Sequence, residues 1–287
     1  MSINYNNLTF IIVTFKSENI IFDCLDSLPK NIPVIIVENS ENIKFKENIE
    51  KKYENVKVLI EKNNGMGASN NLGIKLSKTD YVFIINPDTK LKEDTIDKLI
   101  EASKSLNDFA IISPKSIDKN YPNYVEDENN IEIENKKVIS VKSIDGYSMI
   151  LNKKKFMDGV FFDENIFLYL ENDDLCLRKK KENEKIYIVQ DSFIEHKGAS
   201  SSDQNFQDQI ELSRNWHWMW SKFYFNKKHF GIFRAYCESL PNFLSSISKY
   251  LFYLALFNTY KRNIYYMRLT GIINSFLGKR AWYRPKI

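Results

Sequence analysis

Between residues 8 and 90, near-continuous apolar runs alternate with segments whose apolar residues recur at helical spacing. The runs are Leu8 to Thr14, Val34 to Val37, Val56 to Ile60 and Tyr81 to Ile85. Strands with apolar side chains on both faces belong in the interior of a parallel sheet covered by helices. Between them, Ile20, Ile21, Cys24, Leu25 and Leu28 mark one helix that stops at Pro29, a Lys- and Glu-rich segment marks a second, and a third runs through Leu76. This alternation predicts a three-layer α/β sheet. Further on, Ile96, Leu99, Ile100 and Ala102 predict a surface helix from Thr95 to Leu106, followed by a strand from Phe109 to Pro114. Lys115 to Lys137 is polar and reads as a long surface excursion with hairpin character, which either contacts a substrate or covers a sheet edge. Val138 to Ile144, Tyr147 to Leu151 and Ile186 to Val189 supply later strand patterns.

Beyond Arg214 the pattern changes. Trp216, Trp218 and Trp220 introduce a helical stretch in which Phe and Tyr are interleaved with Lys and Arg. Its longest apolar run, Tyr250 to Phe257, falls well short of the ~20 residues needed to span a bilayer. The expected organisation is a catalytic domain over residues 1–215, with halves of about 8–90 and 91–215, followed by a helical extension over 216–287. Charge sharpens that division. The chain of 287 residues has a net charge of +4, but from Lys222 onward twelve Lys or Arg face a single acid, Glu238, so the tail carries +11 and the rest −7. A basic, aromatic-rich helical segment suits an anionic membrane surface, where aromatic rings sit at head-group depth. The alternative is a helical lid on the first domain or a dimer interface. Nucleic acid is not expected as a partner, because no recognised nucleic-acid module accompanies the basic residues. Cys24, Cys176 and Cys237 form neither a metal-knuckle spacing nor a disulfide framework, and Met1 to Asn7 shows no basic-then-apolar leader, so the expected location is cytoplasmic.

Candidate chemistry gathers at four places. The run from Tyr81 stops at Asn86-Pro87-Asp88-Thr89. Ligands of parallel α/β sheets collect beyond the carboxyl ends of the strands, and Pro87 cannot continue the hydrogen-bond ladder, which leaves the Asp88 side chain available there. A plain strand-ending turn uses the same residue types. The Gly65/Gly67 loop leads into a helix and offers either a phosphate cradle or close packing. It lacks the G-x-G-x-x-G spacing and follows the fourth strand, so a nicotinamide-dependent oxidoreductase has only the glycines in its favour. Glu171-Asn172-Asp173-Asp174 puts three carboxylates into four residues ahead of Leu175, Leu177 and Arg178. Their repulsion has to be offset by solvent, cations or a helix macrodipole, either as an acidic helix cap or as a general base beside a cleft. His196, just past the last strand in His196-Lys197-Gly198-Ala199-Ser200-Ser201-Ser202, is placed either to reach a metal or diphosphate or to serve as an ordinary surface residue.

In their order along the chain these pieces resemble the inverting family-2 glycosyltransferases of GT-A fold, and within them the rhamnosyltransferase-like branch that builds bacterial surface polysaccharides. The resemblance spans about residues 8–225. It rests on Val13-Thr14-Phe15, Val37-Glu38-Asn39-Ser40, Asn63-x-Gly65, Asn70-Asn71-x-Gly73, Asn86-Pro87-Asp88-Thr89, Asp145-Gly146, Phe162-Asp163-Glu164 and Glu171 to Arg178. It implies a Rossmann-like three-layer α/β/α fold with a mostly parallel sheet. It also implies transfer of rhamnose or another hexose from a UDP- or dTDP-linked donor to a glycan or lipid-linked acceptor. A divalent cation, Mn2+ or Mg2+, then neutralises the leaving diphosphate.

By the same resemblance Asp88 is the metal carboxylate, and His196 completes metal or diphosphate contacts. Thr14, Glu38, Asn63, Gly65, Asn71 and Asn86 line the donor side, and Asp145 and Gly146 the acceptor side. Glu38 stands where aspartate is more usual. Asn86 occupies the first position of an Asp-x-Asp pair, so a single-carboxylate metal contact is expected. Inversion needs a base that takes the acceptor hydroxyl's proton. The family motif commonly reads Glu-Asp-x-Asp with the second residue as base; here that position is Asn172, which cannot accept a proton at neutral pH. The base is therefore sought in Asp173 or Glu171, with Asp174 as acceptor contact or helix cap. The missing carboxylate equally admits a non-catalytic carbohydrate-binding or scaffold protein on the same fold. The expected location is peripheral, at the inner face of the plasma membrane, and a homo-oligomer is compatible with the tail.

Overall fold

A computed structural model describes residues 2–106, 108–127, 137–198 and 204–285. The first half of the chain forms β1 (Leu8–Thr14), α1 (Ile21–Ser27), β2 (Val34–Glu38), α2 (Ile43–Lys52), β3 (Val56–Ile60), α3 (Met66–Leu76), β4 (Tyr81–Ile85), β5 (Thr89–Leu91), α4 (Thr95–Ser105) and β6 (Ile111–Ser116). The second half forms β7 (Tyr124–Glu126), β8 (Val138–Ile144), β9 (Ser148–Asn152), α5 (Glu171–Lys181), β10 (Ile186–His196), α6 (Gln207–Phe230), α7 (Ile232–Ala255) and α8 (Thr259–Phe276). These elements belong to two compact units. One comprises Met1–Asp163 with Asn172–Asp203, the other Glu164–Glu171 with Gln204–Ile287. The boundary expected at 215/216 falls inside α6, a single continuous helix.

The first unit is built on one sheet in the order β3-β2-β1-β4-β9-β6-β10-β8-β7, with β5 added onto β10. Every residue of β1 and β4 is buried, as continuous apolar runs require when helices cover both faces. Alternate side chains enter different cores: Phe10, Ile12, Phe83 and Ile85 join one, and Ile11, Val82 and Ile84 the other. From β3 to β4 all pairing is parallel. Beyond β4 the sheet is mixed, with β9 antiparallel to β4 and β6, and β10 parallel to β6 but antiparallel to β8. β7 pairs with β8, so the polar excursion contributes a short hairpin-like edge; its Glu128-Asn129-Asn130 lies outside the described residues.

One strand is longer than its apolar pattern indicates. β10 continues past Val189 to His196, with a shift of register between Val189 and Phe193 where Gln190, Asp191 and Ser192 interrupt the apolar run. His196 therefore ends a strand instead of following one. The Ala199-Ser200-Ser201-Ser202 part of its loop lies outside the described residues.

In the second unit α8 lies hard against α6. A Cβ on Gly271 would sit 2.4 Å from the carbonyl oxygen of Trp216, so only glycine fits at that crossing. One turn later the Ser275 hydroxyl donates to the carbonyl of Trp220 at 3.1 Å. Trp216 and Trp220 pack with Phe167 and Ala281 in a small core. His217 is fully buried beside them, and burial pushes its imidazole down to about 3, so the neutral ring donates from Nε2 to the Tyr283 carbonyl at 2.9 Å.

Candidate active site

β1 pairs with β2 on one side and β4 on the other, so the winding of the sheet reverses between β1 and β4. Such a reversal opens a crevice beyond the carboxyl ends of the two strands. Ile12 pairs with Ile85, which brings those ends level. Thr14 forms one lip; it is buried and its Oγ1 has no hydrogen-bond partner. At the other lip the Asn86 carbonyl accepts from the Thr89 amide at 3.2 Å and from Thr89 Oγ1 at 2.7 Å, closing a turn around Pro87 and Asp88.

Asp88 is only 4% exposed, and neither of its carboxylate oxygens has a hydrogen-bond partner. A buried, unsatisfied carboxylate is costly and calls for a positive partner. β10 brings the nearest candidate. Thr89 lies opposite His196 across the antiparallel ladder, and His196 Nε2 is 3.4 Å from Asp88 Oδ1, an electrostatic contact and not a hydrogen bond. Tyr147 stacks on the imidazole with ring centroids 3.9 Å apart and planes at 18°. Its phenol is pushed up to about 12, chiefly by burial, so it stays neutral. Two orphaned carboxylate oxygens and an imidazole nitrogen fit a hard divalent cation. Among the described residues no group of three or more His, Cys, Asp or Glu is arranged to hold a metal, so the other ligands would come from a diphosphate and water.

Two more carboxylates complete this neighbourhood. Burial raises the Asp173 carboxyl above the usual range, and a hydrogen bond with Ser143 partly offsets that. Asp145 is open to solvent at its surface, yet dense surroundings in its recess raise it too; Asp173 adds to the rise and His196 opposes it. Asp145 thus feels both the helix-borne carboxylate and the histidine beside Asp88. Asn172 Nδ2 donates to the Ile144 carbonyl at 3.0 Å, and a Cβ on Gly146 would lie 3.3 Å from Asn172 Cβ, so Gly146 gives room for this packing.

Asp174 is different. It is fully buried and accepts from Arg178 Nε at 2.9 Å, while Arg178 also donates to the carbonyls of Val160, at 3.2 Å, and Phe161. Its charge goes into holding that loop. Glu171 is buried as the first residue of α5 and groups with the second unit.

The remaining predicted donor-side residues do local structural work. Glu38 accepts the backbone amides of Ser40 and Asn42, each at 2.8 Å, closing the turn after β2. Asn63 Oδ1 accepts the Gly65 amide at 3.2 Å, and Gly65 takes φ 107° immediately before α3, a conformation glycine adopts without strain. Asn71 clamps Phe162 in both directions, Oδ1 accepting its amide and Nδ2 donating to its carbonyl, both at 2.9 Å. A Cβ on Gly73 would fall 2.6 Å from Ile11 Cγ2, so this glycine serves close packing of α3 on the sheet. Asp88, His196, Asp145 and Asp173 are thus brought together, whereas Asn71 and Asp174 secure the neighbouring Phe161-Phe162 segment. Tyr147 and Ser143 join the site unannounced, while Arg178, the last residue of the acidic motif, enters as the partner of Asp174. Tyr147 had one signal, its place two residues after Asp145, but it reads as the start of an apolar run.

The family described as Glycosyl transferase family 2 matches residues 9–170. A low-salt glycan biosynthesis hexosyltransferase of Haloferax volcanii is 23% identical over 203 residues, 62% of this chain and 63% of that protein, so the chain spans less than two-thirds of that relative's length. The rhamnosyltransferase WbbL of Escherichia coli is 23% identical over 209 residues, 62% of this chain and 79% of that protein. Among solved structures, a mannosyltransferase of Pyrobaculum calidifontis in complex with GDP-Man and Mn2+ has a TM-score of 0.58 at 10% identity, covering 96% of this chain and 88% of that one. At that identity the likeness shows the shared GT-A fold.

Proposed function

Because the chain belongs to glycosyl transferase family 2, we propose that it moves rhamnose or another hexose from a nucleotide-diphosphate donor to a hydroxyl of a glycan or lipid-linked acceptor, with inversion at the anomeric carbon. The observation that carries this reading is Asp88, buried at the sheet's reversal point with both oxygens unsatisfied and His196 beside it. A divalent cation bound there supplies charge neutralisation for the leaving diphosphate. Thr14 and Asn86 flank the donor, and Tyr147 fixes the plane of the His196 ring. On the acceptor side, Asp145 orients the incoming hydroxyl and Asp173 takes its proton. An aspartate raised by burial is a better proton acceptor near neutral pH than an ordinary one. Asp174, paired with Arg178, is not available for that role. The names of the relatives, a hexosyltransferase and a rhamnosyltransferase, favour a hexose donor.

The test is donor hydrolysis and transfer by metal-stripped protein, given Mn2+ or Mg2+ and a panel of UDP- and dTDP-linked sugars. Hydrolysis that needs the metal and disappears in Asp88→Asn is the expected result. A protein that hydrolyses none of them, yet is stabilised by sugars in a thermal shift, is instead a carbohydrate-binding scaffold.

The same reading sets the enzyme at the inner face of the plasma membrane, held by its basic tail. On α7, Phe233, Leu240, Leu244 and Leu251 are 81%, 51%, 55% and 55% exposed and follow one another at seven, four and seven residues, which is one face of a helix. Among the described residues no helix is long and apolar enough to cross a membrane, so this face would lie in the interface. The +11 charge of the tail complements anionic head groups.

A further inference from the structure

The polar excursion after β6 contains one residue that points inward. Asn123, immediately ahead of β7, is fully buried. Asparagine is mostly an exposed residue, so its burial requires that each polar group be met. Each is met. Oδ1 accepts the Ser116 amide at 2.8 Å, and Nδ2 donates to the Pro114 carbonyl at 2.9 Å and to Ser113 Oγ at 3.2 Å. The main-chain carbonyl of Asn123 accepts the Asp145 amide at 2.9 Å.

The ordinary account of such a residue is a loop staple, and the three side-chain bonds do close the loop between β6 and β7. What lies at the far ends of this network is less ordinary. Asp145-Gly146-Tyr147 is the whole connection between β8 and β9. Its first residue is held at the amide by Asn123. Its last residue, Tyr147, interacts through the phenol with the Ser116 side chain, which opposes the rise that burial imposes on that phenol. Ser113 Oγ lies 3.3 Å from Ser148 Oγ, so the start of β9 is tied to the same group of residues. The Tyr147 carbonyl accepts the Asn86 amide at 3.2 Å, which joins the connection to the turn that carries Asp88. Asp145 and Tyr147 are also the two residues of the connection that reach His196, one through its charge and the other through its stacked ring.

Taking Asp88, His196 and Asp145 as the transfer site described above, we propose that Asn123 is a positioning residue for it. Asn123 holds Asp145-Gly146-Tyr147 in place, keeping the Tyr147 ring on His196 and the Asp145 carboxylate in its recess. It acts through main-chain and hydroxyl groups and touches no substrate. A misplacement of about 1 Å in groups that orient reactants can cost about 100-fold in rate, so a residue that only positions them has a measurable effect.

The test follows the imidazole C–H signals of the full-length, metal-free protein labelled with 13C-histidine. The chain has three histidines, and His196→Gln identifies the His196 signal by its loss. Tyr147→Leu gives the position of that signal without the stacked ring. Asn123→Ala should move the His196 signal toward the Tyr147→Leu position, and Ser116→Ala should move it the same way. The control is Asn152→Ala. Asn152 is also buried and donates from Nδ2 to the Phe109 carbonyl at 3.1 Å, but it pairs with Tyr81 at the end of β4 remote from Asp88. Its loss should lower the melting temperature and leave the His196 signal in place. In a parent that turns over donor, Asn123→Ala should lower kcat by about 10–100-fold while Asn152→Ala stays near the parental rate.

An unmoved His196 signal in Asn123→Ala, equal movement in Asn152→Ala, or a parental kcat in Asn123→Ala overturns the proposal, as does a Tyr147→Leu signal no different from the parent's. If Asn123→Ala does not fold, Ser116→Ala decides: movement of the signal supports the positioning role and an unmoved signal overturns it. Failure of the transfer reading is seen separately, as a parent that hydrolyses no donor, because the histidine signal requires no turnover.

Discussion

Asp173 and Asp174 are neighbours in sequence with opposite environments. Asp173 is raised by burial, so the folded state holds its proton more tightly than the unfolded chain. Its contribution to stability is full below the ordinary value of 3.8 and is lost as pH rises through the raised folded value. Asp173→Asn should therefore raise the melting temperature at pH 7, a gain that vanishes below about pH 3.8. The same variant should lower kcat by about 10²–10⁴-fold if Asp173 is the base; normal turnover would reassign the role. Asp174→Ala should act the other way. It leaves Arg178 without its buried partner, at a cost of about 3 kcal/mol in denaturant unfolding. Its turnover per folded molecule should fall less than that of Asp173→Asn.

Asp88 carries a third prediction. Asp88→Asn removes an unsatisfied buried charge, so the metal-free protein should melt higher than the parent while losing the extra stabilisation that Mn2+ with a nucleoside diphosphate gives the parent. Thermal shift with and without metal reads both effects, and a variant that keeps the metal-dependent shift would remove Asp88 from the cation site.

At the level of elements, the strands were legible wherever burial alone decided them. β1, β2 and β4 fall where near-continuous apolar runs put them, because such runs call for burial on both faces of a helix-covered sheet. β10 was only half legible. Its polar middle is accommodated by tertiary hydrogen bonds that no local pattern encodes: Ser192 Oγ donates to the Thr95 carbonyl at 2.9 Å, and Thr95 Oγ1 donates to the Phe193 carbonyl at 2.6 Å. The α6–α8 crossing was equally hidden, since one glycine in a helix reads as a weak point and not as a contact. Gly271→Ala should cost about 1–3 kcal/mol or more, because its methyl would meet a backbone carbonyl that cannot rotate away. Gly73→Ala meets the Ile11 side chain instead and should cost less. Chemical denaturation of both variants tests the ordering.

For the molecule as a whole, charge and exposed apolar surface coincide on the helical unit. Replacing Phe233, Leu240 and Leu244 with Gln should abolish sedimentation with anionic vesicles while leaving helix content and donor hydrolysis intact. If vesicle binding persists and the protein instead changes from oligomer to monomer in analytical ultracentrifugation, the α7 face is a subunit interface. The sequence by itself determined the alternating α/β build, the end of β4 at Asn86-Pro87-Asp88, the family and the basic tail. Each of these is written in contiguous residues, through local periodicity, proline chemistry or summed charge. Only the tertiary structure decided that His196 lies beside Asp88, that Asp145 and Asp173 share one field, and that Asn71 and Asp174 are occupied in holding backbone. Those assignments depend on strand order and helix placement, which bring together side chains separated by many residues along the chain and fix which of two adjacent carboxylates meets an arginine.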